Sequence, residues 1–239
     1  MPLDVRPEVK ETPFGVDVAG RHVPGVLWTP TTADGPLPLV LIGHGATRHK
    51  RIDYVLALAR RLVRNYSVAA MAIDGPGHGD RRSIAADEMT VFGEFLSEWS
   101  RPTSVDEMVA DWQAALSAVR DLAPVGQCPM GYWGLSMGTI YGIPLAAMDP
   151  KIRVGVFGLM GLVGPTRERL ARDAVNLDCP VLFIQQWNDS LITRTSSFEL
   201  FDAIGSPDKR LHSHPGDHSE VPPEELAFSA AFLAEHLAS

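Results

Sequence analysis

Residues 134–138 read Gly-Leu-Ser-Met-Gly, and their flanks leave few ways to fold them. A short β-like run from Pro129 leads in, and apolar helical sequence continues through Ala147. The order strand, tight turn, helix predicts Ser136 at a strained φ > 0 position, with its hydroxyl at the C-terminal edge of a sheet. Gly134 and Gly138 suit that turn, because a Cβ at either position would collide with the neighbouring strand or helix. The helix that follows offers free backbone N–H groups to negative charge developing beside the serine. Gly-x-Ser-x-Gly alone is also an ordinary turn in glycine-rich chains, so its meaning depends on the rest of the sequence.

That rest alternates strands and helices. Residues 14–19 and 22–29 are two extended runs joined at Gly20-Arg21, predicting an antiparallel hairpin at a sheet edge. The run Leu39-Val40-Leu41-Ile42 is continuously apolar, as in a strand buried on both faces. Helical spacing over 52–64 and a buried strand over 68–73 follow. Residues 105–122 predict a helix with Ser104 and Glu107 as a capping box. After the strand and helix around Ser136 come strands at 154–159, 181–185 and 209–212. Helices at 165–175, 195–204 and 222–237 separate them, the last with Pro222 and Pro223 at its first turn. Such alternation predicts a mainly parallel sheet covered on both faces, in a single domain over 1–239. Residues 80–103 stand out as an insertion and a candidate small cap.

Composition excludes several classes of partner. With 21 basic and 29 acidic residues the formal charge is −8, which argues against a nucleic-acid surface. No Lys/Arg-rich amphipathic segment and no apolar run of spanning length points to a membrane. The segment Met1–Arg6 lacks the apolar core of a signal peptide, so a cytoplasmic location is expected. Cys128 and Cys179 begin apparent strands and read as reduced thiols rather than a bridge.

A serine hydroxyl needs a base to take its proton and a third group to orient that base. In a parallel sheet such partners come from loops at the C-terminal ends of later strands. The strand at 181–185 runs into Gln186-Trp187-Asn188-Asp189, offering Asp189 as the acid, with Asp173 and Asp178 as fallbacks on the wrong side of that strand. The strand near 210 leads to His214-Pro215-Gly216-Asp217-His218, offering His218 as the base and His214 as its rival. For an oxyanion hole, the backbone N–H of Met137 would be one donor and that of Ala46, after the strand at 39–42, the other. His44 and His78 read as structural braces of their glycine-rich turns.

Taken together, Gly43-His44-Gly45-Ala46, Asp74-Gly75-Pro76-Gly77-His78-Gly79, the serine pentapeptide, Asp189 and Gly216-Asp217-His218 resemble the α/β-hydrolase superfamily over nearly the whole chain. The order Ser136, Asp189, His218 is the order of its triad. The short chain is similar to the serine-esterase and dienelactone-hydrolase-like branch. True dienelactone hydrolases carry Cys where this chain has Ser136, which points away from dienelactone itself. The resemblance implies the α/β-hydrolase fold, with helices on both sheet faces and an N-terminal hairpin. It also implies hydrolysis of a small-molecule ester through an acyl-serine intermediate, with no metal or organic cofactor. Thioesterase, amidase or peptidase, and perhydrolase chemistry would use the same groups.

The substrate side is thinner. Phe92, Phe95 and Trp99 in the insertion are candidate substrate contacts beneath a cap, or else the core of an extra helix. Arg81 and Arg82 could meet a substrate carboxylate or form an ion-paired face. Parts of the sequence also fit two further classes. His212-Ser213-His214-Pro215-Gly216-Asp217-His218 resembles a metallo-β-lactamase-type metal signature, with one residue too many before Asp-His. A non-catalytic binding protein of the same fold usually lacks a triad position, and here all three are filled.

Overall fold

The computed structural model describes residues 7–32, 35–82 and 84–238. Among the described residues, eight strands, numbered in chain order with the ranges given below, form one sheet in the order β1-β2-β4-β3-β5-β6-β7-β8. The hairpin strands β1 (Val9–Val18) and β2 (Arg21–Pro30) pair antiparallel, and β2 also runs antiparallel to β4 (Ala69–Ile73). Every other pairing is parallel: β4 with β3 (Leu37–Gly43), then β5 (Val125–Gly134), β6 (Ile152–Gly158), β7 (Val181–Gln186) and β8 (Lys209–His214). Parallel neighbours need crossovers, and helices supply them.

Strand periodicity sorts the core into two layers. In β3, Leu39 and Leu41 join one apolar cluster while Val40 and Ile42 join the other; in β7, Val181 and Phe183 separate likewise from Leu182 and Ile184. Helices α1 (Asp53–Tyr66) and α7 (Pro223–Leu237) cover the face of Val40, through residues such as Leu58, Leu62, Phe232 and Leu233. Four helices cover the opposite face: α3 (Ser104–Leu122), α4 (Met137–Met148), α5 (Arg167–Ala174) and α6 (Arg194–Ala203), with Trp112, Ile140, Leu170 and Leu200 pointing inward. The predicted elements all form, within a few residues at their ends.

Two local expectations change. Ser104 is the first residue of α3 rather than its cap, which is Thr103, and its hydroxyl meets the Tyr141 hydroxyl at 3.0 Å. Burial beneath α4 gives Ser104 a tertiary partner, so the capping box is not built on it. The insertion forms one further helix, α2 (Glu88–Trp99), genuinely capped by Asp87, whose side chain accepts the Thr90 N–H at 2.9 Å. Cys128 and Cys179 are both free thiols. No helix among the described residues is long and apolar enough to cross a membrane.

Candidate active site

The sheet delivers Ser136 between the end of β5 and the start of α4. Its backbone adopts φ 56°, ψ −118°, the positive φ that the turn demands. Packing over-determines this strain. Ser136 N–H donates to Gly158 O at 2.9 Å, and the Thr139 hydroxyl accepts Gly158 N–H while lying 2.8 and 2.7 Å from Gly134 O and Gly158 O. A Cβ on Gly138 would come within 2.8 Å of Gly43 O, so helix and neighbouring strand approach at backbone distance only because that residue is glycine.

Two loops reach the serine from β7 and β8. His218 Nε2 lies 3.0 Å from Ser136 Oγ, and His218 Nδ1 lies 2.8 Å from Asp189 Oδ2. The other oxygen, Asp189 Oδ1, accepts the N–H groups of Leu191 and Ile192, both at 2.8 Å. Asp189 therefore makes an Asx-type turn and holds the imidazole at once. Asp217 links the two loops: its Oδ1 accepts Ser190 N–H and His218 N–H at 2.8 and 2.7 Å. Those N–H bonds, from Ser190 first, hold the Asp217 carboxyl below its usual range. The geometry is that of a hydroxyl whose proton an oriented imidazole can accept.

The rivals are engaged elsewhere. His214 Nε2 contacts Glu225, and Asp173 is paired with Arg169 and Arg172. Asp178 is exposed in the turn before β7. Arg81 pairs with buried Asp111 and Arg82 with Glu94, so both arginines belong to ion pairs.

Neither Ala46 N–H nor Met137 N–H has a hydrogen-bond acceptor among the described residues; Met137 directly follows Ser136 in the chain, and Ala46 lines the same cavity as Ser136. The loop that carries Ala46 is tightly braced. Gly45 N–H donates to Tyr54 Oη at 2.8 Å, and His44 Nε2 accepts Gly75 N–H at 2.9 Å while its Nδ1–H donates to Gly45 O. Burial, with His78 beside it, pushes the His44 imidazole down to about 4, consistent with a neutral brace. Lys50 closes the loop: its backbone N–H and its ammonium bond the two oxygens of fully buried Asp74 at 2.8 and 2.5 Å. In sequence Asp74 is only part of a glycine-rich turn, because its partner lies 24 residues away.

A cavity of about 530 Å³ opens beside Ser136. Tyr54, Trp133, Leu135 and Leu159 form its floor and wall, and Leu191, Val221 and Leu226 come from the later loops and α7. Most of these cannot be singled out in the sequence, since apolar residues of loops and strand ends carry no local signal of what they face. Of the three candidate contacts from the insertion, only Phe92 lines the cavity. Phe95 and Trp99 stack on each other instead, with ring centroids 5.7 Å apart, and Trp99 Nε1–H donates to Thr166 at 2.9 Å. All three lie on one face of α2, Phe92 about 20° from Trp99 and about 60° from Phe95, so the difference is one of position along the axis: Phe92 stands about 10 Å before Trp99, at the end of the helix that reaches the cavity.

No protein-family model matches the chain. Among solved structures it is similar to a cold-adapted esterase from an Arctic intertidal metagenomic library, in PEG-bound form. The identity is 40% over 96% of this chain and 94% of that one, with a TM-score of 0.86. It shares its fold with an acetyl xylan esterase from Paenibacillus sp. R4 (18% identity, 99% and 86% of the two chains, TM-score 0.73). It also shares it with a dienelactone hydrolase from Anabaena variabilis ATCC 29413 (17% identity, 96% and 97%, TM-score 0.68). With the first likeness running over nearly its whole length, the chain belongs to the α/β-hydrolase superfamily, in the company of esterases and dienelactone hydrolases.

Proposed function

We propose that this protein is a serine hydrolase that cleaves a carboxylic ester of a small to medium substrate through an acyl-serine intermediate. The observation that carries this reading is the hydrogen-bonded chain from Ser136 Oγ through the His218 imidazole to Asp189, at 3.0 and 2.8 Å. His218 takes the hydroxyl proton as Ser136 attacks the ester carbonyl, and Asp189 stabilises the imidazolium and fixes its tautomer. The carbonyl oxygen becomes an oxyanion held by the N–H groups of Ala46 and Met137, at the positive end of α4. His218 then protonates the departing alcohol. Water, activated by the same imidazole, attacks the acyl-serine and releases the acid.

A cavity of about 530 Å³ is within the ordinary range for small-molecule sites. Its mainly apolar wall suits an acyl or aromatic group, and the 40% identity to a cold-adapted esterase supports an ester as the substrate class. We read residues 80–103 as a small cap, with Phe92 as its contact to the substrate. Glu88 in the first turn of α2 accepts from Thr47 at 3.1 Å and pairs with Arg48, which joins this cap to the loop of Ala46.

Hydrolysis of p-nitrophenyl esters of increasing chain length, by wild type and Ser136→Ala side by side, tests the proposal. Wild-type turnover lost by several orders of magnitude in the variant is expected. No turnover by folded wild type, or equal turnover in both proteins, would overturn it.

A further inference from the structure

A second convergence of ligating groups lies outside the cavity. His212 and His214 are two residues apart on β8, so strand alternation sends both rings to the same side of this edge strand. Glu225, in the first turn of α7, reaches them from the covering helix. His212 Nδ1 is 3.0 Å and His214 Nε2 is 2.7 Å from the same oxygen, Glu225 Oε2. One ligating atom from each residue lies within 4.8 Å of the other two. Glu225 is only 3% exposed, and no Lys or Arg pairs with it among the described residues. Two imidazoles converging on one buried carboxylate oxygen thus bring three metal-ligating atoms together with no cationic Lys or Arg beside them.

We propose that His212, His214 and Glu225 hold one divalent transition-metal ion, zinc foremost, that ties β8 to α7. Donors at about 2.0–2.2 Å from a tetrahedral zinc stand about 3.4 Å apart, so the present spacings need to open by roughly half an ångström. Two imidazoles and one carboxylate favour zinc, cobalt or nickel over magnesium or calcium, which prefer all-oxygen shells. The histidine side chains are 29% and 22% exposed, which leaves an entry path and room for a water as fourth ligand. Phe228 packs on the His212 ring at 4.4 Å and limits its rotation.

None of the three residues lines the cavity of Ser136, and His218 faces the serine rather than this cluster. The ion is therefore structural, not a catalytic metal of the metallohydrolase kind. It still sits at the root of the active-site loops. His214 O accepts Trp187 N–H at 2.7 Å and Gly216 N–H at 3.1 Å, and Gln186 Nε2–H donates to Asp217 O at 3.1 Å. Fixing His214 thereby stiffens the segments that lead to Asp189 and His218.

The experiment is calorimetric titration of chelator-treated full-length protein with ZnCl2, repeated with Co²⁺ while recording visible absorption. One equivalent per chain is expected, with Kd in the micromolar range or tighter and cobalt bands of a four- or five-coordinate nitrogen–oxygen site. His212→Ala and His214→Ala should each weaken binding at least tenfold, and Glu225→Gln should do so while keeping the side-chain volume. At a hundredfold excess over Kd, zinc should raise Tm by about 5–10 °C. His218→Ala should still bind one equivalent. Absence of stoichiometric binding by wild type overturns the proposal without any variant. Binding that survives His212→Ala and His214→Ala, or vanishes in His218→Ala, also overturns it by moving the ion to another site.

Discussion

Asp189 uses both carboxylate oxygens, one on His218 and the other on two backbone N–H groups of its own turn. Asparagine can keep the turn only by turning its NH2 toward His218 Nδ1, which must then accept. The imidazole proton would move to Nε2 and face Ser136, the tautomer that cannot take a proton. Asp189→Asn is thus expected to lower kcat by about 10⁴-fold with a melting temperature near that of wild type. Steady-state kinetics beside a thermal melt would check it, and near-native turnover would remove Asp189 from the role. This residue was legible from its place after a strand. Its second set of bonds was not, because an Asx turn and a triad acid look alike in sequence.

At the scale of elements, α2 divides its aromatic residues between two tasks. Phe92 stands over the cavity and is 36% exposed, whereas Phe95 is 6% exposed and packs against Trp99 and His78. Phe92→Ala is expected to change the chain-length profile of ester hydrolysis, by several-fold in kcat/KM for the longer acyl groups, with little loss of stability. Phe95→Ala should instead cost about 3 kcal/mol of folding stability, as other buried Phe truncations do. Denaturant unfolding and the ester series on both variants separate the two effects; a matching pair of results would show that α2 acts as one surface. Sequence spacing grouped Phe92, Phe95 and Trp99 because they lie within a third of a helical turn's circumference. Which point along that stripe meets the cavity depends on how α2 docks, and docking is a tertiary property.

Across the whole molecule, the loops after β3 and β4 are locked by buried polar groups, and these give stability a pH dependence. His44 is fully enclosed, with His78 and Asp74 nearby, and its imidazole is lowered from an ordinary 6.5 to about 4. Between those values the unfolded chain binds a proton that the folded one refuses. The contribution is complete above about pH 6.5 and is lost as pH falls toward 4, amounting to about 3 kcal/mol at most. His44→Asn should flatten the fall in unfolding free energy between pH 7.5 and 4.5. Parallel slopes for the two proteins, measured in urea, would sink this account. The sequence by itself determined the alternation of strands and helices, the two-faced burial of runs such as residues 39–42, and the turn at Ser136. Those depend on hydrophobic periodicity and on steric limits at single glycines, which are local. Only the tertiary structure decided that β4 lies between β2 and β3, that Lys50 meets Asp74, that Phe92 alone of the cap aromatics reaches the cavity, and that Glu225 joins His212 and His214. Each of these joins groups distant along the chain through packing and charge compensation, and no short window of sequence encodes such partners.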